Sequence, residues 1–407
     1  MEPVKVVDNV YWVGAVDYGV RDFHGYRTSA GSTYNAYLIM DEKITLVDTV
    51  KKEFLPELLS RISKVVDPGK IDQVVANHVE LDHAGALPGL METIGRDKPV
   101  YVSKVGEKAF RAHFPGVSLN YRPVGSGDAL ALGRLGLEFL ETRMVHWPDS
   151  MVSFCPQLGI LFSQDAFGMH LATSRRFDDE VRRCVWGYEA LKYFANILTP
   201  YTAPIAALLK SVADSGLLAK IKIICPDHGL IWRSNLSEIV ECYARWVKQE
   251  PTRKAVVVYD TMWRSTEKMA SELADALSVE GVLVRQMNMK ACHRSDIVTE
   301  IYNAGAVLVG SPTLNNGLYP TIAELLSYMR GLKFQNKVGG AFGSYGWSGE
   351  AAKLVQAALG EMKFQLPAPE VRLQWVPAEA DLESLRALGR AVAQALPKEP
   401  APADFGL

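Results

Sequence analysis

The sequence predicts two domains of different class. Residues 1–250 read as an α+β layered sandwich of sheets, and residues 251–397 as an α/β domain with a five-stranded parallel sheet. Three observations carry this. The chain has 407 residues, while one domain usually takes ~100–200. In the first half, apolar runs of strand length cluster ahead of the helices. In the second half, strand and helix alternate strictly, which is the pattern of a doubly wound parallel sheet.

In the first half the strand-like runs are Asn35 to Met40, Ile44 to Asp48, Ile71 to Asn77, Val100 to Ser103, Leu137 to Leu140, Ile160 to Ser163 and Ile221 to Cys225. Helical periodicity covers 51–64, 83–94, 105–112, 188–198, 202–218 and 236–248. In the second half the strands are Lys254 to Tyr259, Val282 to Met287, Ala306 to Gly310, Val338 to Phe342 and Val371 to Trp375. Helices at 266–279, 296–303, 320–330, 349–360 and 381–395 complete five βα units. The seam is the short polar stretch 248–253, where Pro251 disfavours helix continuation. Residues 398–407 read as a loose tail.

Composition narrows the function. Hydrophobic residues make up 48% and charged residues 22%, as in ordinary globular proteins. Lys plus Arg is 44 and Asp plus Glu is 46. A nucleic-acid binder normally shows a basic excess, and none is present. No stretch reaches the ~18 apolar residues of a membrane span, and the N-terminus lacks signal-peptide order. Five cysteines lie far apart without a CxxC pair, so reduced thiols and a cytoplasmic location are expected.

The sharpest motif is His78-Val-Glu-Leu-Asp-His83 directly after an apolar strand. Four metal-binding side chains stand within six residues. In an extended loop His78, Glu80 and Asp82 face one way, and His83 opens the next helix. Further ligand-type residues follow strands or loops: His146, Asp165 and His228. A lone histidine is more often a packing or surface residue, but the clustered four have little packing purpose. Imidazole with carboxylate suits iron, zinc or manganese.

The second half carries a different site. Thr261-Met-Trp-Arg-Ser-Thr266 links the first strand to its helix. A hydroxyl-rich loop at a helix N-terminus suits a terminal phosphate. Neither GxxxxGK[ST] nor GxGxxG is present, which argues against a triphosphate loop and against dinucleotide binding there. Ser311 to Gly317 and Gly343 to Gly349 follow the third and fourth strands. Loops beyond strand C-termini meet at the switch point of an open α/β sheet, so all three should converge there. Tyr345 or Trp347 is placed to cover a flat ring.

On these residues the first half resembles the metallo-β-lactamase superfamily pattern, HxHxDH followed by distant His, Asp and His, and so implies an αββα sandwich. Glu80 stands where the zinc hydrolases have His, and the added carboxylate favours iron. The second half resembles flavodoxin, implying FMN. Together they resemble the flavodiiron proteins over nearly the whole chain. The resemblance implies that His78, Glu80 and His146 hold one iron, that Asp82, His83 and His228 hold the other, and that Asp165 bridges them. It implies that Thr261, Met262, Trp263, Arg264, Ser265 and Thr266 bind the FMN phosphate. It implies that Pro312, Thr313, Leu314, Asn315, Asn316, Ser344, Tyr345, Gly346, Trp347, Ser348 and Gly349 contact ribityl and isoalloxazine.

The same resemblance implies reduction of O2 to water or NO to N2O, with O2 favoured. Electrons would come from rubredoxin or a similar separate donor, since the chain ends soon after the fifth βα unit. It implies a head-to-tail homodimer or a dimer of dimers, with no nucleic-acid or membrane partner. His24 is similar to a histidine lining the gas pocket. Tyr193, with Phe194 as the alternative register, is similar to a tyrosine near the substrate. His170 is expected to support the metal site, while His113 and His293 read as surface residues. Two other functions compete: a zinc hydrolase of the β-lactamase superfamily, and an FMN electron carrier without gas reduction. Glu80 and the complete ligand set argue against them respectively.

Overall fold

A computed structural model describes residues 2–399; the expected tail lies outside the described residues from 400 on. The chain divides into two compact units. The first runs to residue 244, except that 25–27 and 194–200 group with the second, which takes in everything from 245.

The first unit is built on two sheets. The larger has seven strands in the order Val4–Val7, Val10–Trp12, Tyr37–Ile39, Thr45–Val47, Gln73–Ala76, Pro99–Ser103 and Asn120–Val124. The first four pair antiparallel and the rest parallel. The smaller has five, in the order Ala129–Ala131, Gly136–Glu141, Met151–Cys155, Ile160–Gln164 and Ile223–Pro226. Strand alternation sends neighbouring side chains to opposite faces. Tyr37, Ile39, Val47 and Val75 therefore pack against Phe139, Met151, Ile160 and Phe162 between the sheets. Leu38, Leu46 and Val74 face the other way, onto Leu58, Ile62, Leu90 and Met91 of helices Leu55–Ile62 and Leu87–Ile94. On the far side, Tyr243 of helix Leu236–Trp246 packs on Phe167. The result is the expected αββα sandwich.

The second unit has five parallel strands in the order Leu283–Asn288, Lys254–Tyr259, Ala306–Gly310, Val338–Tyr345 and Val371–Gln374. Ala255, Val257, Leu308 and Phe342 pack on Leu273, Leu277, Leu385 and Val392 of helices Ser265–Val279 and Glu379–Ala395. Val256, Val258, Val307 and Val309 alternate to the other face and are fully buried too. Strands covered on both faces read as unbroken apolar runs, as these do.

Several expectations need correction. The fourth strand of this sheet extends to Tyr345, so Ser344 and Tyr345 stand on a strand end and not in a loop. The helix expected at 188–198 is α-helical over Arg183–Tyr193 and becomes a π-helix over Phe194–Leu198. His293 is half-buried and caps helix Arg294–Tyr302, accepting from the Ser295 N–H, so it is not a free surface residue. His113 is exposed as expected.

Candidate metal and flavin sites

Five of the candidate metal ligands sit just past a strand or in a loop of the first unit, and two lie on a short helix. His78 follows strand Gln73–Ala76, and Glu80 is the residue before the short helix Leu81–Ala84. Asp82 and His83 both lie on that helix. Asp82 consequently does not join His78 and Glu80, as extended alternation suggested. His146 stands in the loop before Met151–Cys155; Asp165 follows Ile160–Gln164; His228 follows Ile223–Pro226.

The seven side chains form two groups. His78, Glu80, His146 and Asp165 offer ligand atoms all within 4.8 Å of one another, and so do Asp82, His83 and His228. Asp165 Oδ2 lies 2.8 Å from His146 Nε2 and 3.4 Å from His78 Nε2. Its Oδ1 lies 3.0 Å from His83 Nε2 and 3.6 Å from His228 Nε2. One carboxylate thus turns one oxygen to each group. Asp82 Oδ2 is 3.1 Å from His228 Nε2 and 3.3 Å from His83 Nε2. Glu80 Oε2 is 3.4 Å from both His78 Nε2 and His146 Nε2.

These contacts fit metal ions better than they fit one another. Both Asp82 oxygens, both His83 nitrogens and Asp165 Oδ1 are buried without a hydrogen-bond partner. Buried polar atoms are rarely left so. Each group, with Asp165 set aside, contains two imidazoles and one carboxylate. That is the donor set of non-haem iron sites that keep positions open.

Without metal, burial disfavours every charge here, but the opposite partners outweigh it. Glu80, bonded by His146 and His78, falls to about 2 despite burial. Burial would depress His83, yet Asp82 and Asp165 hold it up at about 10. Burial likewise opposes the shift at His78, where bonds to Asp149 and Glu80 raise it well above the usual value. Asp165 lies well below its usual value, again against burial, because His83 and His146 stand beside it.

A cavity of about 620 Å³ opens onto Glu80 and Asp82, one from each group. Its wall includes Phe23, His24, Lys51 and Phe114. His24 stands on this wall, with Nε2 3.4 Å from Glu80 Oε1 and its side chain 76% exposed. Tyr193 is buried and is not part of this wall; its ring packs on His170 at 5.1 Å and on His228 at 6.0 Å. His170 reaches His228 through Ser32, whose Oγ is 2.8 Å from His170 Nδ1 and 3.4 Å from His228 Nδ1. Sequence reasoning missed Phe23, Lys51 and Phe114, which carry no local spacing signal. It also missed Asp149 and Asp227, which back the imidazoles.

In the second unit the three loops converge at the strand C-termini. Thr266 Oγ1 is 2.8 Å from Ser344 Oγ, and the Thr313 N–H donates to the Ser344 carbonyl at 3.0 Å. Buried Asp260 accepts from the Thr261 N–H and from Thr321 Oγ1, fixing the first loop from below. Arg264 has φ of 70° and gives helix Ser265–Val279 no side-chain cap. The first N–H groups of that 15-residue helix are left for an anion, as a phosphate requires. Pro312 and Leu314 belong to the second loop, where Leu314 and Gly317 exchange backbone bonds and Asn315 and Asn316 take φ of 50° and 57°. In the third loop Ser348 Oγ donates to Asn316 Oδ1, while Gly349 takes φ of 85°. Trp263 and Trp347 are 90% and 84% exposed, and Met262 is partly exposed. Trp375, absent from the expected set, lies 6.3 Å from Trp347, and a Cβ at Gly346 would meet its ring at 2.9 Å. These loops fit a flat, phosphate-bearing cofactor.

Comparison with known proteins agrees. Residues 33–229 match the family described as ODP family beta lactamase, and residues 257–389 match Flavodoxin. The chain is 46% identical over 399 residues to the rubredoxin-oxygen oxidoreductase of Megalodesulfovibrio gigas, covering 97% of this chain and 98% of that protein. It is 45% identical over 395 residues to a nitric oxide reductase of Moorella thermoacetica, covering 96% and 98%. The solved flavodiiron protein from Giardia intestinalis superposes with a TM-score of 0.92 at 33% identity, covering 97% of each chain. This chain belongs to the flavodiiron protein family. It is an oxidoreductase, and its cofactors are a diiron centre in the β-lactamase-like half and FMN in the flavodoxin-like half. Among the described residues no helix is long and apolar enough to cross a membrane.

Proposed function

We propose that this flavodiiron protein reduces O2 to water, NO to N2O, or both, with electrons from rubredoxin or a similar donor. Relatives named for each gas, at 46% and 45% identity, support this reading. The observation that carries the site is the double-facing Asp165, one oxygen toward each set of two imidazoles and a carboxylate. We assign His78, Glu80 and His146 to one iron, Asp82, His83 and His228 to the other, and Asp165 to both. We assign residues 1–250 to the diiron domain and 251–397 to the FMN domain. Residues 261–266 take the FMN phosphate, and residues 312–316 and 344–349 take the ribityl chain and ring. When bound, the irons would supply paired electrons and open positions for a diatomic gas, and FMN would supply a store of replacement electrons.

The chain's own residues do the rest. Phe23 and Phe114 give the cavity apolar walls that a neutral gas enters without a desolvation cost. His24 stands between solvent and Glu80, so its Nε2 can pass protons inward. Tyr193 packs against His228 and holds its ring. The protein is further proposed to work in the cytoplasm as a head-to-tail homodimer or a dimer of dimers. None of its five cysteines forms a disulfide, which suits a reducing compartment.

The test is steady-state consumption of O2 and of NO by iron- and FMN-loaded protein with reduced rubredoxin. At least one gas should be consumed far faster than by an equal concentration of free FMN. Protein with both cofactors that consumes neither gas above that background would overturn the reading.

A further inference from the structure

All four imidazoles assigned to iron turn Nε2 toward the metal-facing carboxylates. What stands behind them differs. Asp149 Oδ2 is 3.0 Å from His78 Nδ1, and Asp227 Oδ2 is 3.5 Å from His83 Nδ1. His228 Nδ1 instead lies 2.6 Å from the Thr33 carbonyl. Asp149 and Asp227 are 3% and 1% exposed. Nothing in the sequence motif assigns either one.

We propose that Asp149 and Asp227 are positioning residues, one for each iron, that fix which nitrogen of His78 and His83 meets the metal. This rests on the ligand assignment above. A neutral imidazole carries one N–H, so a nitrogen that binds metal must leave that hydrogen on the other. Donating it to a carboxylate holds the tautomer and the ring plane, and makes the ligating nitrogen a stronger donor. A carbonyl, as behind His228, holds the tautomer without adding charge. The first iron thus has a charge-supported imidazole in His78, bonded to Asp149; at the second, Asp227 stands 3.5 Å behind His83 Nδ1 without a hydrogen bond.

Asp149 is the better anchored of the two. Its Oδ2 also accepts from the Val79 N–H at 3.0 Å, and Ser103 Oγ donates to its carbonyl at 2.7 Å. Neither Asp227 oxygen has a hydrogen-bond partner, and the contact to His83 is longer. The first iron should accordingly be held by the more rigid imidazole.

The test uses full-length protein and two variants at Asp149. Asp149→Ala removes acceptor and charge, and should weaken binding of one of the two irons ~10–100-fold in chelator competition. Asp149→Asn keeps an oxygen for Val79 N–H and His78 Nδ1–H but loses the charge. It should retain both irons and FMN, yet raise the diiron reduction potential. Each tenfold change in the ferric-to-ferrous affinity ratio appears as ~59 mV for a one-electron couple. A purely structural role for Asp149 predicts no such rise, because asparagine satisfies the same N–H groups. Wild-type iron affinity in the alanine variant, or an unchanged potential in the asparagine variant, overturns the proposal for Asp149. Asp227→Asn reads the second iron in the same way, and an unchanged potential there removes Asp227. His78→Ala is the control for the underlying assignment: retention of both irons would show that His78 is not a ligand.

Discussion

The double-facing carboxylate makes a quantitative demand on Asp165→Asn. Asparagine keeps the size and shape of the side chain but has one oxygen, and its NH2 cannot ligate a metal. In the wild-type chain Oδ2 serves His78 and His146 while Oδ1 serves His83 and His228. The variant can serve only one group, so iron should fall from two per chain towards about one by this donor count, with one FMN retained. The metal-free protein should weaken as well. Opposite charges ~3 Å apart attract by ~5.5 kcal/mol at an effective dielectric of ~20, and burial offsets much of that. Removing one partner of a buried pair costs ~3–5 kcal/mol. Glu80 and Asp82 remain beside the same imidazoles, so the low end of that range, ~3 kcal/mol at neutral pH, is expected. Iron by plasma mass spectrometry, FMN by absorbance, denaturant midpoint and gas turnover together check this. Two irons per chain with full gas reduction would refute the bridging role.

Three further predictions concern metal choice, pH and assembly. Glu80→His replaces a carboxylate donor with a softer neutral one, so zinc uptake should rise and gas reduction fall; unchanged iron content and turnover would show that the carboxylate does not select the metal. His83 is raised from 6.5 to about 10 in the metal-free site, so its paired charge stabilises the apoprotein fully below 6.5, and that contribution is lost as pH rises through 10. Iron must displace that proton, so apparent iron affinity should climb by up to ~tenfold per pH unit across this window; affinity that is flat above pH 7 in chelator competition would contradict it. For assembly, Asp165→Ala keeps its flavin, while Ser265→Glu places a negative charge where the FMN phosphate would sit. Re-paired dimers of the two should recover roughly a quarter of wild-type activity if electrons cross between chains, whereas a silent mixture with proven subunit exchange would rule that out.

Much of the fold was legible because its strands are buried on both faces. Val74 and Val75 face different layers yet both must be apolar, so the run stands out. Most of the strands missed lack that signature; Met151–Cys155 is buried throughout, but Ser153 interrupts its apolar run. Asn120–Val124 carries Arg122 and Pro123 and survives as the last strand of its sheet, where a missing N–H is tolerated. Val4–Val7 and Val10–Trp12 are short and separated only by a tight turn at Asn9, whose φ is 68°. The candidate metal ligands were legible because four of them crowd into six residues just past a strand end. Their grouping was not, because the helix starting at Leu81 turns Asp82 away from His78 and Glu80. Asp149 was invisible for a different reason. Its partner is 71 residues away, and no local spacing records a pairing made by the fold.

Charge explains why a carboxylate at position 80 suits redox work. The two groups together offer four imidazoles and three carboxylates. In a buried site, each added positive charge is expensive unless a negative one stands near it. A hydrolytic metal keeps its charge through turnover, but an iron that cycles gains one each time it is oxidised. Glu80 in place of an imidazole lowers the site's charge by one and eases that step. Asp149 extends the same compensation outward, through His78 Nδ1, without occupying a ligand position. The cavity touches the site at Glu80 and Asp82, one carboxylate of each group. Glu80 and Asp82 thus face the approach while the imidazoles of His78, His83 and His228 lie deeper. The same wall carries Lys51 and Lys52 beside Asp22 and Glu53, so the entrance holds both signs of charge, and a neutral diatomic gas crosses it without strong attraction to either.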